Sequence, residues 1–360
     1  MNDEVLMRRA LRLAARGAGN TSPNPMVGAI VAREGQVIGT GFHERAGTDH
    51  AESAALGRAG EAARGSTLYV TLEPCAHRGR TPPCIETIIA AGVARVVVAM
   101  EDPDERVRGR GIAALRAAGI AVDVGSGEAQ ARALNRAYVH HRRTGTPYVS
   151  LKMAQTINGK ISDRPGTRMQ LTGEAAAKFV RGLRYEHDAV MVGVNTVVVD
   201  DPELTVRPRK RRALPYTRIV VDSGGRIPPS SAVLRRQTSA KTIVATTDAM
   251  PQRVRELLQK KHIDIVTCAR NAGGQVEIPD LLVQLGGRGV LSILCEGGPT
   301  LASSLLRARL AQRVYWLIAP RLIASEGAVD AIFGLPDARL RIESVEALGA
   351  DALVTCAPEY

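Results

Sequence analysis

The sequence predicts two α/β domains, each built around a largely parallel sheet, and three observations lead to that prediction. The chain has 360 residues, and single hydrophobic cores rarely extend beyond about 250 to 300 residues. Apolar runs of strand length alternate with helical patterns, which is typical of a sheet layered with helices. A Thr-Gly-Thr-Pro turn at 144–147 interrupts the alternation. We therefore expect one domain over 1–147 and a second over 148–360.

The first domain is predicted to begin with an amphipathic helix and to continue as strand and helix pairs. The predicted strands are Val27–Val31, Thr67–Leu72, Ala94–Met100 and Ile120–Val124. The later predicted helices are Ala51–Gly60, Ile85–Ala91, Gly111–Gly119 and Glu128–Arg143. The spacing of apolar residues separates the two kinds of element, and Gly92 is a typical helix end.

The second domain is predicted to continue the alternation. Its predicted strands are Tyr148–Met153, Ala189–Val192, Arg218–Val221, Thr242–Ala245, Ile263–Thr267, Val290–Cys295 and Val314–Ile318. Its predicted helices are Gly173–Leu183, Pro251–Lys260, Pro279–Leu285 and Thr300–Ala308. A basic run at 207–212 lies between elements, where a solvated loop is the simplest interpretation and phosphate binding is the alternative.

Composition excludes some classes of function. The net charge of +12 favours anionic partners such as nucleic acid, an anionic membrane or phosphorylated metabolites. Aromatic residues make up only 3% of the chain, and single-stranded nucleic-acid binders depend on aromatic stacking, so we favour a small phosphorylated ligand. No apolar run approaches the roughly 18 residues of a membrane span, and the N-terminus lacks a signal-peptide pattern. We expect a cytoplasmic protein without a membrane or nucleic-acid partner.

The clearest chemical motif joins His50 and Glu52 to Cys75 and, nine positions later, Cys84. One imidazole and two thiolates give a catalytic zinc three protein ligands and leave its fourth position open for water. Zinc lowers the pKa of that water from about 15.7 toward roughly 7, which makes a hydroxide nucleophile. Glu52 lies at a predicted helix start, where it can move a proton without binding the metal. This pattern is typical of zinc-dependent nucleobase deaminases.

Alternatives stay open for parts of this motif. Taken singly, a histidine such as His50 is more often an ordinary surface residue, and cysteines such as Cys75 and Cys84 are more often buried thiols. The segment between the two cysteines carries His77, Arg78 and Arg80, which suits a phosphorylated substrate because arginine binds phosphate with two donors. A solvated basic loop is the alternative there. Three further cysteines lack such a pattern and are expected to be core thiols: Cys268, Cys295 and Cys356.

The second domain carries a weaker signal for a ligand. A Gly-Gly turn at 297–298 joins a predicted strand to a predicted helix, and such a turn offers backbone N–H groups and a positive helix end to a phosphate. A plain tight turn is the alternative. A second polar cluster at 195–207 also follows a predicted strand, and ligands of open α/β sheets bind beyond the carboxyl ends of strands. The regular dinucleotide fingerprint is absent, so the residues alone indicate a nucleotide or phosphate ligand.

Segments in both halves of the chain match a known family. In the first half they are Ser22–Gly28, Gly41–His43, His50–Glu52, Thr71–Cys84 and Asp102–Pro103. In the second half they are Leu151–Ala154, Asn158–Lys160, Asp200–Pro202 and Glu296–Leu301. The chain resembles the bifunctional riboflavin-biosynthesis enzymes, in which a pyrimidine deaminase is fused to a pyrimidine reductase. The ten-residue loop Cys75–Cys84 separates that family from the transfer-RNA adenosine and cytidine deaminases.

The resemblance implies both folds and two successive reactions. It implies a cytidine-deaminase-like three-layer α/β/α fold for 1–147 and a dihydrofolate-reductase-like α/β fold for 148–360. Zinc-dependent hydrolysis would remove the 2-amino group of 2,5-diamino-6-(5-phosphoribosylamino)pyrimidin-4-one, and NADPH would then reduce the ribosyl group to the ribitylamino product. By analogy we also expect a homodimer or homotetramer.

Carried over by position, the resemblance assigns roles to individual residues. Zinc is held by His50, Cys75 and Cys84, with Glu52 as the proton shuttle. The deaminase substrate contacts Asn24, His43, His77, Arg80 and Asp102. NADPH is held by Ala154, Thr196, Asp200, Ser223, Gly297, Gly298, Pro299 and Thr300. The reductase substrate faces Lys152, Arg168, Arg184, Leu204, Arg207 and Glu296. Asp200 is also a candidate for polarising or protonating the opened sugar, with cofactor positioning as the alternative.

Three segments depart from the family pattern, and two rival interpretations remain. Gln170 stands where tryptophan is expected, Asp104-Glu105 replaces Asn-Pro, and Asn158 replaces an aspartate. One rival is a nucleic-acid deaminase with a basic C-terminal binding module. The other is a deaminase whose reductase half is purely structural. Binding and oxidation of NADPH would exclude both.

Overall fold

Two compact units make up the chain, and they separate between Gly145 and Thr146. The computed structural model describes residues 2–76, 83–206, 216–235, 237, 240–335 and 337–360. The division lies two residues before the predicted boundary. None of the helices in these described ranges combines the length and apolar character that a membrane-spanning helix needs.

The first unit is a five-stranded sheet with helices on both faces. Its strands are β1 Gly28–Arg33, β2 Gln36–Phe42, β3 Thr67–Val70, β4 Arg95–Val98 and β5 Ala121–Val124. Its helices are α1 Asp3–Ala14, α2 Ala51–Ala59, α3 Cys84–Ala91, α4 Arg110–Ala117, α5 Glu128–Leu134 and α6 Arg136–Thr144. The strand order is β2-β1-β3-β4-β5. Strand β1 runs antiparallel to both neighbours, whereas β3, β4 and β5 are parallel.

Two glycines in β2 allow α2 to pack directly on the sheet. A Cβ atom at Gly41 would lie 2.2 Å from the backbone oxygen of Ala51, and one at Gly39 would lie 2.3 Å from that of Ala55. On the opposite face, a Cβ atom at Gly28 would lie 2.1 Å from the oxygen of Ala10 in α1. Helices therefore cover both faces, and the expected three-layer α/β/α fold is confirmed.

The second unit is built on a nine-stranded sheet and a two-stranded one. Its strands are β6 Tyr148–Thr156, β7 Lys160–Ser162, β8 Ala189–Gly193, β9 Tyr216–Val221, β10 Ala240–Thr246, β11 Asp264–Thr267, β12 Ser292–Cys295, β13 Arg313–Ala319, β14 Val329–Asp330, β15 Arg339–Leu348 and β16 Asp351–Glu359. Its helices are α7 Glu174–Glu186, α8 Val194–Asp200, α9 Gln252–Lys260, α10 Ile278–Gly287 and α11 Pro299–Arg307.

The large sheet has the order β11-β10-β9-β8-β12-β6-β13-β16-β15, and β7 pairs with β14. The first seven strands in this order, from β11 at the edge to β13, are parallel to one another. Strand β16 is antiparallel to β13, and β15 is antiparallel to β16. Buried side chains of α10 and α11 pack on one face, and those of α7, α8 and α9 pack on the other. The expected α/β architecture is confirmed for this unit as well.

Candidate functional sites

The deaminase-type motif forms a compact group of possible metal ligands. The Nδ1 atom of His50 lies 3.0 Å from the Sγ atom of Cys84 and 3.7 Å from that of Cys75. The three ligand atoms all lie within 4.8 Å of one another. Zinc bonds of about 2.1 Å to nitrogen and 2.3 Å to sulfur place tetrahedral ligands about 3.5 Å apart. The donor set and its spacing therefore fit a zinc ion.

Two helix starts place these ligands. His50 is the N-cap residue of α2, and Cys84 is the first residue of α3. The positive end of a helix stabilises a nearby negative charge. A hydrogen bond from the Cys84 thiol lowers the pKa of Cys75, which favours the thiolate form that binds metal. The N–H group of Cys84 also donates to that sulfur at 3.3 Å.

Glu52 lies in the first turn of α2 with only 4% of its surface exposed. Burial raises the pKa of its carboxyl group, because a low-dielectric surrounding disfavours the charged form. Both Glu52 and the metal ligands His50 and Cys75 line one cavity of about 390 Å³. The structure thus brings a carboxyl group that can hold a proton next to the predicted metal position.

The same cavity contains the predicted substrate contacts Asn24, His43 and Asp102. The Nδ2 atom of Asn24 lies 3.1 Å from Nε2 of His43, whose Nδ1 atom lies 3.1 Å from the oxygen of Asp49. Burial lowers the pKa of His43. A neutral ring that donates from Nδ1 to Asp49 and accepts from Asn24 satisfies both contacts and fixes the Asn24 amide, whose Oδ1 remains an acceptor.

The loop that contains Asp102 is held by Glu73, which the sequence did not single out. The carboxylate of Glu73 is 4% exposed and accepts four backbone N–H groups, at 2.9 to 3.3 Å, from residues 102, 109, 111 and 112. A Cβ atom at Gly111 would lie 2.0 Å from the oxygen of Pro74. The hydrogen bonds to Glu73 and the close packing at Gly111 therefore hold this loop against the segment that carries Cys75.

Replacing Glu73 by glutamine is expected to destabilise the first unit by about 3 kcal/mol, because the amide places N–H groups against buried N–H donors and leaves them unpaired. Urea unfolding of the full chain measures the effect, with Glu61→Gln, at an exposed position, as the matched control. An unfolding midpoint for Glu73→Gln that equals that of the control would contradict this role.

Several lining residues of the deaminase cavity were not predicted as site residues, among them Asp104, Arg106, Tyr138 and Arg142. The hydroxyl group of Tyr138 donates to Asp102 at 3.1 Å. Asp104 accepts from Arg106 at 2.9 and 2.6 Å, and Arg106 lowers the pKa of that carboxyl to about 2. The predicted contacts His77 and Arg80 lie outside the described residues.

Helices α5 and α6 were predicted as one helix, Glu128–Arg143, and this was wrong. The helix is interrupted at Asn135, whose backbone leaves the helical region at φ −100° and ψ 23°. Its buried side chain accepts from the N–H of Met26 at 2.8 Å and donates to the oxygen of Met26 at 2.9 Å. The break orients α6, which carries Tyr138 and Arg142 into the cavity.

The second unit has a cavity of about 860 Å³ beyond the carboxyl ends of its parallel strands. Most of the predicted cofactor and substrate residues line it: Lys152, Ala154, Arg168, Arg184, Thr196, Asp200, Leu204, Glu296, Gly297, Gly298, Pro299 and Thr300. The Gly-Gly turn leads directly into α11, as expected. Burial raises the pKa of Asp200, against the opposing effect of the Arg168 and Lys152 charges.

A buried ion group lies at the floor of this cavity. The guanidinium of Arg184 donates to both oxygens of Glu296 at 2.5 and 3.0 Å, and the Lys152 ammonium lies 3.6 Å from one of them. Although burial opposes it, Arg184 and Lys152 lower the pKa of Glu296. Glu296 therefore holds the two cations in place, and the group keeps a net positive charge toward the cavity.

Two predicted residues are not among the described residues that line this cavity. Ser223 follows β9, and its hydroxyl oxygen accepts from the N–H of Val276 at 2.9 Å. Arg207 lies outside the described residues. The departures Gln170 and Asn158 also have hydrogen-bond partners: Gln170 donates to the oxygen of Thr172 at 2.8 Å, and Asn158 donates to the oxygen of Ile323 at 2.8 Å.

Comparison with known proteins identifies the family. The model of the RibD C-terminal domain matches residues 147–354, which is more than half of the chain. The chain belongs to the RibD family. The model of the cytidine and deoxycytidylate deaminase zinc-binding region matches residues 1–100. The riboflavin biosynthesis protein RibD of Escherichia coli K12 is 41% identical over 342 residues, covering 91% of this chain and 90% of the relative. That of Aquifex aeolicus is 40% identical, covering 98% and 97%.

Solved structures of RibD proteins have the same architecture. Acinetobacter baumannii RibD, form 1, is 34% identical with a TM-score of 0.90, and 99% of each chain is covered. A Thermotoga maritima protein, described as a diaminohydroxyphosphoribosylaminopyrimidine deaminase/5-amino-6-(5-phosphoribosylamino)uracil reductase, is 31% identical with a TM-score of 0.86, covering 99% of this chain and 98% of its own. This RibD-family chain is a bifunctional deaminase and reductase of riboflavin biosynthesis that uses zinc and NADPH. The family membership favours a working reductase over a nucleic-acid-binding module.

Proposed function

We propose that the first unit hydrolyses 2,5-diamino-6-(5-phosphoribosylamino)pyrimidin-4-one to its 2-oxo form and ammonia, and that the second unit reduces the ribosyl group of that product with NADPH. The observation that carries the proposal is the His50, Cys75 and Cys84 group beside buried Glu52 in a cavity. The substrate agrees with the printed description of the Thermotoga maritima relative. Domains 1–147 and 148–360 are assigned to the two reactions.

In the deamination, Glu52 takes the proton of the attacking water and delivers it to the leaving amine. His50, Cys75 and Cys84 would hold a zinc ion, which would lower the pKa of a water enough for it to attack at neutral pH. The raised pKa of buried Glu52 suits a group that accepts a proton and gives it up within one turnover. Asn24, fixed by His43, and Asp102, held by Tyr138, orient the pyrimidine.

In the reduction, NADPH bound in the second cavity would be the source of the hydride that C1′ of the opened sugar receives. The turn Gly297 to Thr300 and the start of α11 bind a cofactor phosphate through backbone N–H groups, with Ala154, Thr196 and Ser223 as further cofactor contacts. Lys152, Arg168 and Arg184 bind the phosphorylated substrate, with Leu204, Arg207 and Glu296 as further substrate contacts. Asp200, protonated to a higher pH than an ordinary aspartate, protonates the sugar oxygen as hydride arrives.

Asp200→Asn is therefore expected to slow reduction of the deaminated intermediate by about a hundredfold, with deamination unchanged. Because only protonated Asp200 can donate, the wild-type rate falls as pH rises through the raised pKa of this carboxyl, and the variant lacks that fall. Stopped-flow measurement of NADPH oxidation across pH tests this. Unchanged turnover would remove Asp200 from the mechanism, and a raised KM for NADPH with an unaltered pH profile would indicate cofactor positioning instead.

Product analysis tests the function itself. Zinc-replete enzyme without NADPH should convert the diaminopyrimidine substrate to a product in which oxygen replaces NH, and added NADPH should introduce two hydrogens into the sugar. Mass spectrometry distinguishes both steps. Recovery of unchanged substrate under both conditions would contradict the proposal. A cytoplasmic homodimer or homotetramer that needs no nucleic acid or membrane is part of the same proposal.

A further inference from the structure

The last turn of α6 carries a cation into the deaminase cavity. Arg142 lines that cavity, its side chain keeps 30% of its surface exposed, and its guanidinium carbon lies 5.1 Å from the ring centre of Tyr138. The Tyr138 hydroxyl donates in turn to buried Asp102. The face of an aromatic ring attracts a guanidinium group, and a guanidinium has several N–H donors with which to bind an anion. Arg142 is therefore pre-positioned at the cavity wall.

The neighbouring carboxylate of Asp104 does not form a hydrogen bond with Arg142. Arg106 makes two hydrogen bonds to Asp104, at 2.9 and 2.6 Å. Arg142 lies 3.8 Å from Asp104 through its Nε atom, which is too long for a hydrogen bond. One carboxylate thus faces two guanidinium groups, and the Arg142 donors are not used in a hydrogen bond to Asp104. These donors can bind an anionic group of a ligand in the cavity.

We propose that Arg142, supported by Tyr138 and by the Arg106 and Asp104 pair, binds the phosphate group of the deaminase substrate and determines its preference for a phosphorylated pyrimidine. The inference rests on the proposed function, because it takes the phosphoribosyl substrate as given. Arginine suits this role, since its donors match two phosphate oxygens. Arg106 neutralises Asp104, which would otherwise repel the phosphate.

The test compares Arg142→Gln with wild type on two substrates, the phosphoribosyl diaminopyrimidine and its dephosphorylated ribosyl form, by ammonia release with zinc-replete enzyme. We expect KM for the phosphorylated substrate to rise by about 10- to 100-fold with little change in kcat, because one charge-assisted contact is lost. The KM of Arg142→Lys for the phosphorylated substrate should lie between those of wild type and Arg142→Gln, since lysine keeps the charge and loses the planar pair of donors. Arg143→Gln removes the same charge from an exposed neighbour outside the cavity lining and should behave as wild type.

The substrate pair separates the possible outcomes. Loss of the preference for the phosphorylated form in Arg142→Gln, with one zinc retained per chain, supports the proposal. An equal rise in KM for both substrates, or no change for either, overturns it while the deaminase assignment stands. A wild-type enzyme that deaminates neither substrate overturns the proposed function and this inference with it.

Discussion

Glu52→Gln is expected to slow ammonia release by about a hundredfold to ten-thousandfold, which is the usual contribution of a positioned acid or base. Glutamine preserves the volume of this buried side chain in the first turn of α2 but cannot carry a proton from water to the leaving amine. Ammonia release from the diaminopyrimidine substrate measures the loss. We expect the reductase to oxidise NADPH at the wild-type rate when it is given the deaminated intermediate, since Glu52 belongs to the other unit.

Two controls make this prediction specific. Zinc content should remain one per chain, because Glu52 is not one of the grouped ligands His50, Cys75 and Cys84. Glu86→Gln, at an exposed position in the first turn of α3, should leave both reactions unchanged. Wild-type ammonia release by Glu52→Gln would eliminate Glu52 as the proton carrier. Loss of reduction in the same variant would show that the two sites are not independent.

Cys84→Ala should remove zinc and deamination together. Cys84 is fully buried at the start of α3 and supplies one of three ligand atoms, and two remaining protein ligands do not form a structural or catalytic zinc site of the usual kind. Because bound metal stabilises only the folded state, the thermal unfolding temperature of the first unit should also fall. Metal analysis, ammonia release and thermal unfolding test the three effects on the same sample.

The matched control is Cys356→Ala, which removes a buried thiol from β16. It should retain zinc and deamination, and NADPH oxidation should continue in both variants. Full zinc occupancy in Cys84→Ala would show that the metal is held by other residues. Retained zinc with unchanged ammonia release would contradict the assignment of His50, Cys75 and Cys84 as the catalytic ligand set.

The metal group could be predicted because its chemistry needs particular residue types at particular places. Histidine and cysteine have few roles in common apart from metal binding, so His50, Cys75 and Cys84 were recognisable without any contact information. Arg142 and Tyr138 were missed for the opposite reason. Arginine and tyrosine are ordinary on a surface helix, and only the break at Asn135 turns α6 so that both enter the cavity.

The fold was predictable where apolar runs are continuous and less so elsewhere. Strand β2 was missed because Gly39 and Gly41 weaken the strand pattern, yet they are required where α2 packs directly on the sheet. The hairpin β15 and β16 was missed because β15 exposes most of its side chains, including Ile342 at 61% and Val345 at 65%. A half-exposed edge strand carries little of the hydrophobic signal from which strands are predicted.

The most direct test of two coupled activities in one chain is a single reaction in which ammonia and NADPH are followed together. Zinc-replete enzyme is given 2,5-diamino-6-(5-phosphoribosylamino)pyrimidin-4-one and excess NADPH. We predict that ammonia appears first and that one NADPH is then oxidised for each ammonia released. Ammonia release without NADPH oxidation would contradict a working reductase, and NADPH oxidation without ammonia would contradict the order of the two reactions.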